Sequence, residues 1–112
     1  VTPTPDAGLT VLRTARIRGA AGHAASGNVR IVREGGRHRL EFLADFRIDS
    51  GNNDVYLARQ SDTVTAADLN LGDLRSTRGA QSYDLPDAGA QYAFVVLWCR
   101  PFRIPIGVGE LQ

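Results

Sequence analysis

The chain has 112 residues, a formal net charge of +1 and 43% hydrophobic residues, the make-up of one ordinary globular domain. Acids and bases are spread along it, which argues against nucleic acid or an anionic membrane as the main partner, since both require a concentrated basic patch. No apolar run approaches the ~20 residues of a membrane span. The absence of Lys and Met excludes Schiff-base chemistry and a Met axial ligand, and the single Cys excludes an intrachain disulfide or a two-thiol motif.

Residues 1–9 are Thr/Pro-rich and read as the end of an extended linker, so the domain is expected to be tethered to something upstream, such as an export signal or an anchor. Residues 10–112 read as one domain of short strands with turn clusters about every 8–12 residues. Residues 14–18 alternate with Ala15 and Ile17 inward, and the small, flexible stretch 19–23 ends at His23. Residues 28–33 carry Val29 and Ile31 on one face, and the Gly35-Gly36 pair predicts a hairpin. The strand over 40–48 is the clearest period-2 element, with Leu40, Phe42, Ala44, Phe46 and Ile48 facing the core. His38, beside the Gly-Gly turn, reads as a solvated loop residue.

Residues 49–53 read as a polar turn and 54–59 as a strand containing Val55 and Leu57. Thr65 with Asp68 three residues on resembles a helix N-cap, so a short helical turn over 66–70 is predicted. One short strand is expected within 78–86. Then comes the most apolar run, residues 92–99, with neither a charge nor a Gly or Pro. Neither parity is polar, so it reads as a strand buried on both faces, with Trp98 in the core and Cys99 beside it on the opposite face. Phe102, Ile104 and Ile106 alternate after Pro101 and close the sheet. The expected fold is all-β, an antiparallel two-sheet β-sandwich with at most one short helical turn.

Trp98, Cys99, Arg100, Pro101 and Phe102 resemble the W-C-x-x-F motif of the DM-thirteen domain, also called the electron-transfer DM-thirteen domain. Leu71, Gly72 and Leu74, followed by Gly79, Gln81, Tyr83, Leu85 and Pro86, are similar to that family's L-G-x-L and G-x-Q-x-Y-x-L-P. His23, Ser26, Gly27, Asp45, Phe46 and Val55 to Leu57 fall in the expected order, while Gly51 to Asp54 departs from the family's Gly-Pro-Asp. The resemblance runs from about Ala15 to Leu111. It implies an extracytoplasmic redox or electron-transfer accessory domain, secreted or tethered at the cell surface. Cys99 would act as a bare thiol or as a ligand to a prosthetic group such as haem, with His23 as the accompanying cofactor-binding candidate. A redox partner or a cell-surface protein is the implied partner, and a monomer is expected.

The alternatives can be weighed from the residues. Cys99 ends its strand beside Arg100, and a nearby guanidinium would favour the reactive thiolate. The other reading is core packing, since free Cys is among the most buried residue types. A blue-copper site needs two His with a ligating His shortly after the Cys, and Arg, Pro, Phe, Arg and Ile follow Cys99 instead. Asp49, Asn52, Asn53 and Asp54 lack the spacing of a calcium loop. No Ser nucleophile elbow is present. Two functions remain: a redox domain using Cys99, with Cys99 and His23 sharing one pocket, or a non-catalytic β-sandwich binding module for protein or glycan. Access to the thiol separates them.

Overall fold

A computed structural model describes residues 8–112. The described chain contains eleven strands and no helix: β1 (Leu9–Arg16), β2 (Arg18–Gly19), β3 (Ala25–Ser26), β4 (Asn28–Glu34), β5 (Arg37–Phe42) and β6 (Arg47–Ile48), then β7 (Asn53–Ala58), β8 (Leu69–Asp73), β9 (Gln81–Leu85), β10 (Phe94–Cys99) and β11 (Ile104–Glu110). All pairings are antiparallel. One sheet has the order β1-β4-β5-β9 and the other β2-β11-β10-β7-β8, with β3-β6 as a small ribbon at one end. The fold is the expected all-β sandwich.

The alternation of side chains fills the space between the sheets. Ala15, Val29, Ile31, Leu40, Phe42, Tyr83 and Leu85 come from the first sheet, and Val55, Leu57, Val95, Leu97, Cys99 and Ile106 from the second. Phe42 meets Phe46 edge-on at 4.6 Å between centroids and Tyr83 at 5.7 Å, arrangements in which ring edges approach ring faces favourably. The chain passes from one sheet to the other at Ile17, whose N–H donates to Gly27 O at 2.8 Å. Arg13 ties the sheets together by donating to the carbonyls of Gly89 (3.1 Å) and Tyr92 (2.6 Å). On the solvent face, Arg30, Glu41, Arg39 and Glu34 form a ladder of ion pairs at 2.8 to 3.2 Å.

Several sequence expectations are corrected. The strand foreseen over 40–48 stops at Phe42, because Leu43 N–H turns to Asn28 O and Phe46 N–H to Leu43 O. Asp45 then accepts from both the backbone N–H and the side-chain amide of Asn28, and these bonds, the backbone one foremost, hold its carboxyl below the usual aspartate range. Phe46 and Ile48 still reach the core, but Ala44 sits exposed in the turn. The Thr65–Asp68 cap forms (Thr65 N–H to Asp68 at 2.8 Å), yet the chain enters β8 at Leu69 rather than continuing as a helix over 66–70.

Strand β10 is the middle strand of its sheet, but among the described residues no second layer covers its outer face. Val96 is buried there while Phe94 and Trp98 are only half-buried, so Trp98 is not a core residue. Phe102 lies in the β10–β11 turn at 77% exposure, outside the alternation of Ile104 and Ile106. His38 is a half-buried strand residue opposite Leu85, not a loop residue. Of the linker read over 1–9, residues 1–7 lie outside the described residues, and Leu9 already belongs to β1.

Candidate functional site

Cys99 is the last residue of β10, on its inward face, with 5% of its surface exposed. It lies opposite Asn53 of β7 and Ile104 of β11. Asn53 is the one buried polar residue of the described core, at 1% exposure. Its Nδ2 donates to Ser50 O at 2.7 Å, which fixes the amide orientation because a carbonyl only accepts. Its Oδ1 is then left buried without a donor. Such an orphaned acceptor costs about 1–3 kcal/mol, so its place directly across from the sole thiol needs an explanation.

Arg100 does not serve Cys99. Its Nη1 donates to Asp54 at 2.6 Å and also to Asp73, and these two carboxylates, Asp73 foremost, raise the guanidinium pKa further. Strand pleat explains this: Arg100 follows Cys99 and heads to the opposite face. The sequence expectation of a thiol beside a guanidinium is replaced by a thiol beside an amide.

His23 is held by local geometry that the sequence shows only in part. Its loop turns through Ala21 (φ 54) and Gly22 (φ 81), both left-handed, and closes with His23 N–H donating to Ala20 O at 3.0 Å. Gly19 is obligatory beneath it, since a side chain there would collide with the His23 carbonyl oxygen. Asp49 fixes the loop from the other side, accepting from Ala24 N–H at 2.8 Å and from the His23 ring at 2.9 Å. Those two bonds, the Ala24 one first, hold Asp49 below the usual aspartate range. An ionised carboxylate only accepts, so Nδ1 carries the proton, and among the described residues Nε2 has no hydrogen-bond partner.

His23 lines a cavity of about 590 Å³ together with Gly19, Ala25, Ser26, Arg47, Asp49 and Arg78, among others. Cys99 is not part of that lining, so the thiol and the imidazole do not share this pocket. At 5% exposure the sulfur cannot meet a flat macrocycle without opening the sheet, and these residues do not fit a haem held by Cys99. Among the described residues no three His, Cys, Asp or Glu side chains gather as a metal-ligand set.

Sequence reasoning missed Asn53, Arg47 and Arg78. Asn53 looked like one more polar turn residue, and only its register opposite Cys99 distinguishes it. Arg47 and Arg78 meet through a bridge between distant segments that carries no local signal.

No curated protein and no solved structure matches the chain. The family model described as "Electron transfer DM13" matches residues 17–111, which include His23, the Arg47–Arg78 bridge, Asn53 and Cys99. The chain therefore belongs to the electron transfer DM13 family, which gives it a redox or electron-transfer role in general terms.

Proposed function

We propose that the domain is an extracytoplasmic redox accessory module in which Cys99 acts as a bare thiol. The observation that carries this is that the cross-strand neighbour of Cys99 is Asn53, whose Oδ1 is buried without a donor. A thiol S–H is a weak donor, whereas the O–H of a sulfenic acid is a strong one and extends the side chain by one atom, which would give an orphaned acceptor on the neighbouring strand a donor. With a hydroperoxide as oxidant, the O–O bond breaks and one oxygen binds sulfur. The thiol proton leaves with the other oxygen as water or alcohol. Sulfur has then lost the two electrons that the peroxide gained. Return uses two small thiols: the first displaces water to form a mixed disulfide, and the second releases Cys99–SH and a small disulfide. The 5% exposure of Cys99 favours small reactants over protein partners.

The test is mild peroxide treatment of native protein followed by a sulfenic-acid trap and mass spectrometry. A trapped adduct on Cys99, reversed by small thiols and short-lived in Asn53→Val, supports the reading. Labelling only after unfolding overturns it. The extracytoplasmic setting rests on the family resemblance. It is checked by protease access to the natural protein in intact cells.

A second reading, a non-catalytic binding module for protein or glycan, is favoured by Phe102 at 77% exposure in the β10–β11 turn. An exposed aromatic at a hairpin tip is a natural anchor. A partner lost in Phe102→Ala while Cys99→Ser retains it would establish that reading.

A further inference from the structure

Arg47 and Arg78 face each other across the isolated antiparallel bridge between β6 and the segment before β9. The flanking bonds are Gly79 N–H to Phe46 O at 2.9 Å and Ile48 N–H to Thr77 O at 2.8 Å. These bonds make Arg47 and Arg78 a non-hydrogen-bonded pair, the arrangement in which opposite Cα atoms come within about 4.5 Å and the side chains share one face. Like charges so placed repel. Among the described residues neither guanidinium has an ion-pair partner. The carboxylates in the neighbourhood are committed: Asp49 to Ala24 and His23, and Asp45 to Asn28.

On its other side Arg47 pairs with Ser26 of β3, so Ser26, Arg47 and Arg78 form a row on one face. All three line the same cavity as His23. The row offers two planar forks of N–H donors and a hydroxyl, and the His23 ring adds Nε2 as an acceptor.

We propose that this cavity is a binding site for a tetrahedral oxyanion, phosphate or the phosphate group of a monoester. Arg47 and Arg78 hold its anionic oxygens, and Ser26 and His23 meet a third oxygen or its proton. A tetrahedral anion fits better than a carboxylate because two guanidiniums, a hydroxyl and an imidazole acceptor line one cavity from three segments, and a monoprotonated phosphate carries both the anionic oxygens and the P–OH proton that this set can take. The anion relieves the repulsion between the guanidiniums, so binding stabilises the fold. The site is independent of the chemistry assigned to Cys99.

The experiment is a titration with inorganic phosphate, read by NMR at the His23 ring and the arginine Nε–H signals, against chloride and acetate at matched ionic strength. Phosphate alone should give saturable shifts at His23, Arg47 and Arg78, and a phosphate monoester should compete. Arg47→Gln or Arg78→Gln should weaken binding roughly tenfold or more, and the double variant should abolish it. Cys99→Ser should bind as the parent does, so failure of the thiol chemistry and failure of this site are separately visible. Thermal unfolding without phosphate confirms that the variants fold. Equal shifts with chloride or acetate, or phosphate binding retained by the folded double variant, overturns the proposal.

Discussion

Two pairs of like charges face each other across strands in this molecule, and the fold treats them differently. Asp54 and Asp73 are opposite one another on β7 and β8, and Arg100 reaches over from the end of β10 to bond both. Arg47 and Arg78 are opposite one another at the other pairing, and no described carboxylate reaches across. A repulsive pair closed by an internal counter-charge is a structural device. One left open beside a cavity has its counter-charge supplied from outside, and that difference marks the second pair, rather than the first, as the place for a ligand.

The comparison can be broken most forcefully from below. Phe46 precedes Arg47, is 1% exposed and packs on Phe42, while its carbonyl holds Gly79 beside Arg78. Phe46→Ala should cost about 3–5 kcal/mol in denaturant unfolding. Hydrogen exchange should rise at Gly79 and Ile48 while the Asp54–Asp73 register stays protected; uniform loosening of both would show that the pairs are not separable.

Arg100→Gln should be the next largest effect, leaving the two aspartates opposed. Its melting temperature should fall below the parent's, with the deficit shrinking in high salt and in the Arg100→Gln, Asp73→Asn double variant. A deficit that salt leaves unchanged would point to lost packing instead.

Acid should act first on the side of the open pair. Asp45 and Asp49 are held below the ordinary value of 3.8 by bonds made only in the folded chain. A depressed carboxylate contributes stability that is complete above its unfolded value and lost as pH falls through the folded one. Stability should therefore hold from neutral pH down to about 4 and decline below it. Amide exchange at Ala24 and Asn28, the two backbone donors, should rise ahead of the rest of the sandwich.

The smallest effect should have the opposite sign. Arg47→Gln or Arg78→Gln, in buffer free of multivalent anions, should leave stability unchanged or raise it by about 0.5 kcal/mol, since repulsion is removed and no ion pair is lost. A loss above ~1 kcal/mol would mean the guanidiniums have an internal partner and that the two pairs are alike.

Sequence pattern specified much of this molecule by itself. Period-2 alternation placed Val29, Ile31, Leu40, Phe42, Val55 and Leu57 in the core, and turn residues located the β4–β5 hairpin. The apolar run at 92–99 marked the middle strand of its sheet, and the motif around Cys99 carried the family. These are local signals, because a side chain's face follows from its parity and a turn from its own residues.

Tertiary structure decided the rest. Parity says which face a residue takes but not whether that face is covered, so Trp98 and Phe102 are less buried than their alternation implies. The break after Phe42 depends on Asp45 bonding to Asn28, 17 residues away in sequence. Asn53 opposite Cys99, and Arg47 opposite Arg78, are products of strand register between distant segments. Register is set by the summed burial of whole strands, so no local pattern names which two residues will meet, and the chemistry of both sites lies in those meetings.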